Sequence, residues 1–286
     1  MPRKDPTLRS YEQRVARVMA HLAAHPGREP VLEDLAAIAA FSPCHFHRIY
    51  RLMAGETPQE TAMRLRLHLA AATLLKTPET VARTARQAGY GSVAAFTRAF
   101  RAHFGVPPAA YRRLGGIGPS LRTTKPTENH SMFEVTLRES PPMRLAALPH
   151  RGPYDRIGTC FDRLGALAQS TGLSRPETRW IGLYYDDPHS MPAAELRSEA
   201  AFTLPEGTEA PAPATLRLVP AQRLAVLRFQ GPYAELEGAY DWLYRTWLPN
   251  SGKEPADAPC MEDYLNDCRS LPPAEWLTEI LLPLRD

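Results

Sequence analysis

Two arginines near residue 100 lie on one face of a segment with helical periodicity. Apolar residues recur three or four positions apart at Phe96, Phe100 and Phe104, which predicts an α-helix with one buried face. Arg98 and Arg101 then point away from that face. A guanidinium can bind two acceptors on a guanine edge or neutralise a phosphate, so this face is suited to contact a nucleic acid.

The residues before this helix complete a helix-turn-helix unit. A short helix is predicted over residues 81–88, a turn follows at Gly89, and Ser92 can cap the second helix. Small side chains on the exposed face would let the helix approach DNA closely. The predicted DNA-contacting residues of this helix are Val93, Ala94, Thr97, Arg98 and Arg101.

The same unit occurs a second time, fifty residues earlier. Six residues have counterparts at that shift: Phe46, Arg48, Tyr50, Arg51, Gly55 and Pro58 match Phe96, Arg98, Phe100, Arg101, Gly105 and Pro108. Ser42 can cap this earlier helix, and Thr57 with Glu60 can form a capping box that opens a long connecting helix. The predicted DNA-contacting residues of the earlier helix are Cys44, His45, His47, Arg48 and Arg51, although Cys44 suits packing equally well.

The later unit ends in a characteristic run. Phe104 and Gly105 are followed by Pro108, Tyr111 and Arg112 at fixed spacing. This run and the doubled unit resemble the DNA-binding domain of AraC/XylS-type transcription regulators. The resemblance implies an all-α domain over residues 8–113, with two helix-turn-helix units joined by a long helix. It also implies double-stranded DNA and RNA polymerase as partners.

Charge is distributed unevenly along the chain. Residues 1–115 hold 17 basic and 8 acidic residues, a net charge of +9, whereas residues 129–286 hold 15 and 22, a net charge of −7. A basic domain is expected on a polyanion. The sequence predicts no membrane span and no signal peptide, and its four cysteines lack metal-site spacing. We therefore expect a cytoplasmic protein with reduced thiols, and no metal or cofactor.

The C-terminal part is itself a repeat. Residues 114–131 contain Gly, Pro, Ser and Thr without apolar periodicity and are predicted to be a linker. Residues 144–154 and 223–233 then share seven of eleven positions at a shift of 79. Each is followed by an amphipathic helix and flanked by strand-like runs. Residues 132–286 are therefore predicted as an α+β domain of two pseudo-symmetric β-β-α-β-β halves, with a ligand groove between them.

A second resemblance rests on the two Gly-Pro-Tyr motifs and on residues 182–188 and 261–267. They are similar to the GyrI-like effector-binding domain, which implies a cleft for small, apolar and often cationic or aromatic compounds. The resemblance places a glutamate of that cleft at Glu262. Tyr264 lies on the same strand face, and at the 79-residue shift these two fall on Leu183 and Tyr185. The predicted effector-binding residues are Glu262, Tyr264, Trp180, Tyr185 and Tyr154.

Two alternatives remain open from the residues alone. Glu262 could face solvent on an edge strand, although an inward carboxylate is costly and so favours a function. Some GyrI-like proteins are implied to hydrolyse strained electrophilic rings, so a hydrolase or a protein that sequesters toxic small molecules is the alternative to a DNA-binding sensor. Asp186 and Asp187 precede Pro188 and are predicted to form a solvated turn rather than a metal site.

Overall fold

A computed structural model describes residues 6–116 and 133–285 of the chain. The predicted linker, residues 114–131, lies outside the described residues except for its first three positions. The N-terminal part is helical, with α1 Pro6–Ala24, α2 Leu32–Ala39, α3 Pro43–Ala54, α4 Pro58–Lys76, α5 Val81–Gln87, α6 Val93–Phe104 and α7 Pro108–Arg113. The C-terminal part contains β1 Val135–Ser140, β2 Met143–Arg151, α8 Gly158–Ser170, β3 Trp180–Tyr184, β4 Arg197–Thr203, β5 Thr215–Val219, β6 Gln222–Gln230, α9 Leu236–Trp242, α10 Leu248–Asn250, β7 Cys260–Tyr264 and β8 Leu277–Leu284.

Local signals place the ends of the helical units. Gly55 and Gly105 end α3 and α6 with φ of 78° and 77°, a left-handed conformation that glycine adopts without steric cost. Thr57 and Glu60 form the predicted capping box at the start of α4. Ser42 occupies the N-cap position of α3, but its side chain makes no cap hydrogen bond, so that part of the prediction is wrong.

The two helix-turn-helix units are packed differently. The second unit has its own core, in which Phe96 and Phe100 of α6 pack with Leu74 of α4. The core of the first unit, with Phe46 and Ile49 of α3, is continuous with apolar residues of the C-terminal domain. The first unit is therefore joined to the C-terminal domain by a shared apolar core.

The C-terminal domain is built on one antiparallel sheet. Its strand order is β1-β6-β8-β7-β3-β4-β2-β5, so each half of the chain segment supplies four strands. The halves exchange their first strands, since β1 pairs with β6 and β5 pairs with β2. They also meet at the centre of the sheet where β3 pairs with β7, with Gly182 opposite Glu262 and Trp180 opposite Tyr264. Because of this central pairing, the small sheets predicted for the two halves are merged into one. The predicted fold class, a helical domain followed by an α+β domain, is confirmed.

Helices α8 and α9 cover one face of this sheet. Leu164 of α8 packs against Phe202 of β4, and Tyr240 of α9 packs in the cluster that contains Ile280 of β8. Helix α9 continues into a π-helical turn, Leu243–Trp247, and then into α10. Among the described helices, none is both long enough and apolar enough to cross a bilayer.

Candidate functional site

A buried carboxylate lies at the centre of the sheet, on the face that carries the helices. Glu262 on β7 is only 6% exposed. The Tyr240 hydroxyl donates to Glu262 Oε1 at 3.0 Å, and the Tyr264 hydroxyl donates to Oε2 at 2.7 Å. The Tyr184 hydroxyl lies 2.7 Å from that of Tyr264. Because Tyr264 gives its proton to the carboxylate, Tyr184 donates to Tyr264.

A glycine makes this arrangement possible. Gly182 lies directly opposite Glu262 on the neighbouring strand. A Cβ atom at Gly182 would lie 2.7 Å from the nearest atom of the Tyr184 ring. The absent side chain therefore lets Tyr184 fold across its own strand toward Tyr264.

Further aromatic rings pack against the tyrosines that hold the carboxylate. The ring of Tyr154 lies 4.9 Å from that of Tyr184, and the rings of Phe161 and Tyr233 lie 5.2 Å and 5.3 Å from that of Tyr264, between centroids. We call the tyrosines near Glu262, together with the rings that pack against them, the aromatic cage: Tyr154, Phe161, Tyr184, Tyr233, Tyr240 and Tyr264.

The electrostatics of the cage favour a positive charge. Burial raises the pKa of Glu262, while the tyrosine hydroxyls and the charge of Arg48 lower it, and burial is the largest of these effects. Aromatic faces attract cations, and a carboxylate can pair with them. A cation that reached Glu262 would meet both a carboxylate and aromatic ring faces. The alternative of a solvent-facing Glu262 on an edge strand is wrong, because β7 lies inside the sheet and the side chain is buried.

The predicted site residues are only partly brought together. Glu262, Tyr264 and Tyr154 belong to the cage. Trp180 shares their sheet face but packs against Phe202, with ring centroids 5.6 Å apart. Tyr185 packs against the cluster on the opposite face of the sheet, and its ring lies 5.9 Å from the Arg197 guanidinium. The structure therefore places Tyr185 away from Glu262.

The position of Tyr185 has a simple cause in the repeat. Asp187 and Asp267 make matching turns, in which their carboxylates accept from the N–H groups of His189 and Arg269. The two turns are 80 residues apart in the sequence, whereas the two Gly-Pro-Tyr motifs are 79 residues apart. In a strand, a slip of one residue moves a side chain to the other face. At the shift of 80, the counterparts of Glu262 and Tyr264 are Gly182 and Tyr184, rather than Leu183 and Tyr185.

Asp186 and Asp187 are buried, so the prediction of a solvated turn is wrong. Their side chains are 4% and 2% exposed. Asp186 accepts from the backbone N–H and the guanidinium of Arg197, whereas Asp187 accepts from Arg51 on α3. In the described part of the chain, no group of three or more His, Cys, Asp or Glu residues is arranged to hold a metal ion.

The predicted DNA-contacting face of α6 is open. Arg98 and Arg101 are exposed, as are Val93 and Ala94, and Thr97 is half-buried. Phe96 and Phe100 fill the core behind them and are fully buried. The helix therefore presents this face to solvent, as its periodicity predicts.

The predicted DNA-contacting face of α3 is covered by the C-terminal domain. The Arg48 guanidinium carbon lies 4.4 Å from the ring centroid of Tyr240 and 5.1 Å from that of Tyr244. His45 is 2% exposed, and its Nδ1 lies 2.7 Å from the Tyr244 hydroxyl. Arg51 donates to Asp187, and Cys44 and His47 are half-buried. In this arrangement these five residues face protein, and their role on DNA stays a prediction.

Comparisons with known proteins match two parts of the chain separately. Residues 133–285, more than half of the chain, match the family described as the GyrI-like small molecule binding domain. The chain belongs to the GyrI-like family. Residues 35–114 match a helix-turn-helix domain of the AraC type, so both predicted resemblances are confirmed.

Individual relatives match one part or the other. A DNA gyrase inhibitor of Yersinia enterocolitica is 31% identical over 137 residues, which are 46% of this chain and 86% of that protein. The transcriptional activator RclR of Escherichia coli is 33% identical over 107 residues, 37% of this chain and 38% of that protein. The solved EcmrR–DNA complex is 16% identical with a TM-score of 0.46, and covers 89% of this chain and 99% of that chain.

The buried His45 predicts a pH dependence of stability. Burial, and then the charge of Arg48, lower the pKa of His45 to about 4, while the carboxylate of Asp257 acts weakly in the opposite sense. A histidine in an unfolded chain has a pKa of about 6.5. Below that pH the unfolded chain therefore binds more protons at this position than the folded protein does. The contribution of neutral His45 to the free energy of unfolding is therefore complete above about pH 6.5, and it is lost as the pH falls toward 4.

We expect urea unfolding to show this loss. Between pH 7.5 and pH 5, His45 should account for about 2 kcal/mol of lost unfolding free energy. The His45→Gln variant cannot take up the proton, and should lose correspondingly less over the same interval. An identical pH dependence in the two proteins would contradict the buried, neutral state of His45.

Proposed function

We propose that the chain is a sequence-specific DNA-binding transcription regulator whose C-terminal domain senses a small cationic or apolar molecule. One observation carries this proposal: an exposed arginine-bearing helix, α6, and a buried carboxylate in an aromatic cage occur in one chain. The first is suited to DNA and the second to an organic cation. Neither arrangement is needed for folding, because exposed arginines add little stability and a buried carboxylate costs free energy.

The DNA-binding half of the proposal rests on α6. Arg98 lies in the middle of the exposed face, where it can reach a guanine edge once the helix enters the major groove. Arg101 lies one turn further on and can reach the phosphate backbone. The match to a helix-turn-helix domain supports this role. The relative RclR is called a transcriptional activator, which supports RNA polymerase as a further partner.

The sensing half rests on the aromatic cage. Cation–π attraction and a carboxylate act together on a cation that is shielded from water, so a quaternary or aromatic ammonium compound fits best. The family description, a small molecule binding domain, supports the same role.

A hydrolase is a second candidate, because burial raises the pKa of Glu262 and so favours a general base. The two tyrosine hydroxyls that donate to its oxygens act against this, since they stabilise the carboxylate and weaken it as a base. We therefore place binding ahead of turnover.

Selection of bound DNA from a random library tests the first half of the proposal, and calorimetry with organic cations tests the second. We expect a defined sequence motif and binding of a quaternary ammonium compound that is recovered unchanged by mass spectrometry. Enrichment of no motif would refute the regulator. Recovery of a hydrolysed product from electrophilic compounds, lost in Glu262→Gln, would favour the hydrolase.

A further inference from the structure

The predicted DNA-reading face of α3 and the aromatic cage meet at one ring. Tyr240 donates its hydroxyl proton to Glu262, and its ring face is covered by the Arg48 guanidinium at 4.4 Å. Arg48 also acts electrostatically on Glu262 itself. A cation of the N-terminal domain therefore occupies the aromatic side of the site that the C-terminal domain offers to a ligand.

Carboxylates of the C-terminal domain pair with neighbouring arginines of the first helix-turn-helix unit and of α1. Arg51 donates to Asp187 at 3.4 Å and to Asp241 at 3.2 Å. Arg14 on α1 pairs with Glu254 at 2.6 Å, and its side chain is 8% exposed. The acidic C-terminal domain thus presents negative charge to the first helix-turn-helix unit in the way that a nucleic acid does.

The second unit shows no such cover. Arg98, the counterpart of Arg48 at the fifty-residue shift, is exposed. Among the residues that the structure describes, 6–116 and 133–285, no carboxylate lies within ion-pair distance of Arg98 or Arg101. The difference between the two units is therefore made by the C-terminal domain and not by the repeat itself.

We propose that the C-terminal domain is an intramolecular lock on the first recognition helix, with Arg48 seated at the aromatic cage as a tethered cation that a cationic effector must displace. In the closed arrangement α6 is free for DNA and α3 is held away from it. An effector that takes the place of Arg48 favours the arrangement in which α3 is released. The inference rests on the proposed function, because it assigns the route by which sensing reaches the DNA-binding half.

The contacts of Arg48 make such displacement feasible. The tyrosine hydroxyls, rather than Arg48, hold both oxygens of Glu262. A free cation that approaches Glu262 directly gains a carboxylate contact that the tethered guanidinium lacks. As an attraction, the Arg51–Asp241 pair contributes little to the lock, because the Asp241 side chain is 32% exposed. A cation in place of Asp241 would instead repel Arg51 directly. A ligand with a higher affinity for the open arrangement shifts the population by that difference in affinity.

A charge reversal on the C-terminal domain tests the lock without any ligand. Asp241→Arg on α9 places a cation beside Arg51 and leaves every predicted DNA-contacting residue intact. Glu237→Arg, one turn earlier on α9, is the matched control: it makes the same charge change, and Glu237 contacts His189 instead of α3. DNA is selected from a random library by each full-length variant and by the wild type, and the bound motifs are compared.

We expect one conserved block of bases for the wild type and for Glu237→Arg. Asp241→Arg should select two blocks about 10 bp apart, one for each recognition helix. Its affinity for that two-block DNA should exceed that of Glu237→Arg by about tenfold or more. A motif and affinity equal to those of Glu237→Arg overturn the lock, as does a two-block motif for the wild type without ligand.

Competition at the cage is tested with benzyltrimethylammonium as the probe. Arg48→Ala removes the tethered cation, and Arg17→Ala, an exposed arginine of α1, is the charge-matched control. Calorimetry should show the probe binding Arg48→Ala about tenfold tighter than the wild type or Arg17→Ala. Equal affinity in all three overturns the competition while sensing stands. Absence of binding in all three overturns cation sensing and the competition together, and the selection experiment still decides whether α3 is locked.

Discussion

Replacement of Glu262 by glutamine weakens the binding of organic cations about ten- to a hundredfold, because a contact with a charged partner contributes about 1.5–3 kcal/mol. Glutamine keeps the shape and one acceptor oxygen but removes the charge. Benzyltrimethylammonium and its uncharged carbon isostere, neopentylbenzene, have nearly the same outline. We expect the loss for the cation and little change for the isostere, measured by calorimetry on wild type and variant.

The matched control is Asp263→Asn on the next residue of β7. Asp263 lies on the other face of the sheet, where it lines a cavity of about 490 Å³ and pairs with Arg179 at 2.6 Å. This variant removes the same charge from the same strand and should bind both ligands as the wild type does. Equal losses for the cation and the isostere in Glu262→Gln would mean that Glu262 supports the packing of the cage and does not recognise charge.

Replacement of Arg98 by alanine costs about 1–3 kcal/mol in affinity for the selected DNA, because Arg98 is exposed at the centre of the face predicted to read a base. The loss should be confined to one position of the motif, where the variant accepts any base. Fluorescence anisotropy with DNA substituted at each position would measure it.

Arg48 is the internal control for Arg98. In the wild-type background Arg48→Ala should not lower DNA affinity, because Arg48 is held against Tyr240 and away from DNA, and its loss weakens the lock on α3. In the Asp241→Arg background the same substitution should cost as much as Arg98→Ala. If Arg48→Ala and Arg98→Ala were equally harmful in the wild type, α3 would already be on the DNA and the closed arrangement would be wrong for the bound state.

The repeats in the sequence explain most of the fold. The apolar spacing of Phe96 and Phe100, the glycines that end α3 and α6, and the capping box at Thr57 are local signals, and each acts within one or two helical turns. The Gly-Pro-Tyr repeat likewise indicates two halves of similar element order. The merging of the halves into one sheet depends on β3 pairing with β7 and on the exchange of β1 and β5 between the halves, long-range contacts that no local pattern specifies.

The candidate site could be predicted only in part. Glu262 and Tyr264 follow from the family resemblance and strand alternation. A repeat shift of 79 aligns Tyr185 with Tyr264, whereas the turns at Asp187 and Asp267 show that the strand region follows a shift of 80. Gly182, a glycine inside a strand, was the available signal for the close approach of a side chain.

Other members of the cage left weaker signals. The sequence does not distinguish Tyr184 and Tyr240 from the other aromatic residues of the domain, and aromatic residues fill cores more often than ligand sites. The cover over α3 had no sequence signal beyond the opposite charges of the two domains. Those charges are compatible with contact between the domains, but they do not specify which helix is covered. His45 and Arg48 therefore suited DNA by pattern, and the packing of the domains places them against Tyr244 and Tyr240.

The coupling between DNA and the aromatic cage is tested most directly by one calorimetric measurement. Benzyltrimethylammonium is titrated into the full-length protein, alone and in the presence of saturating DNA that carries both motif blocks. Because coupling is reciprocal, the cation should bind tighter with DNA present, by the same factor by which it tightens DNA binding. The same dissociation constant with and without DNA would contradict the account, since the two sites would then be independent.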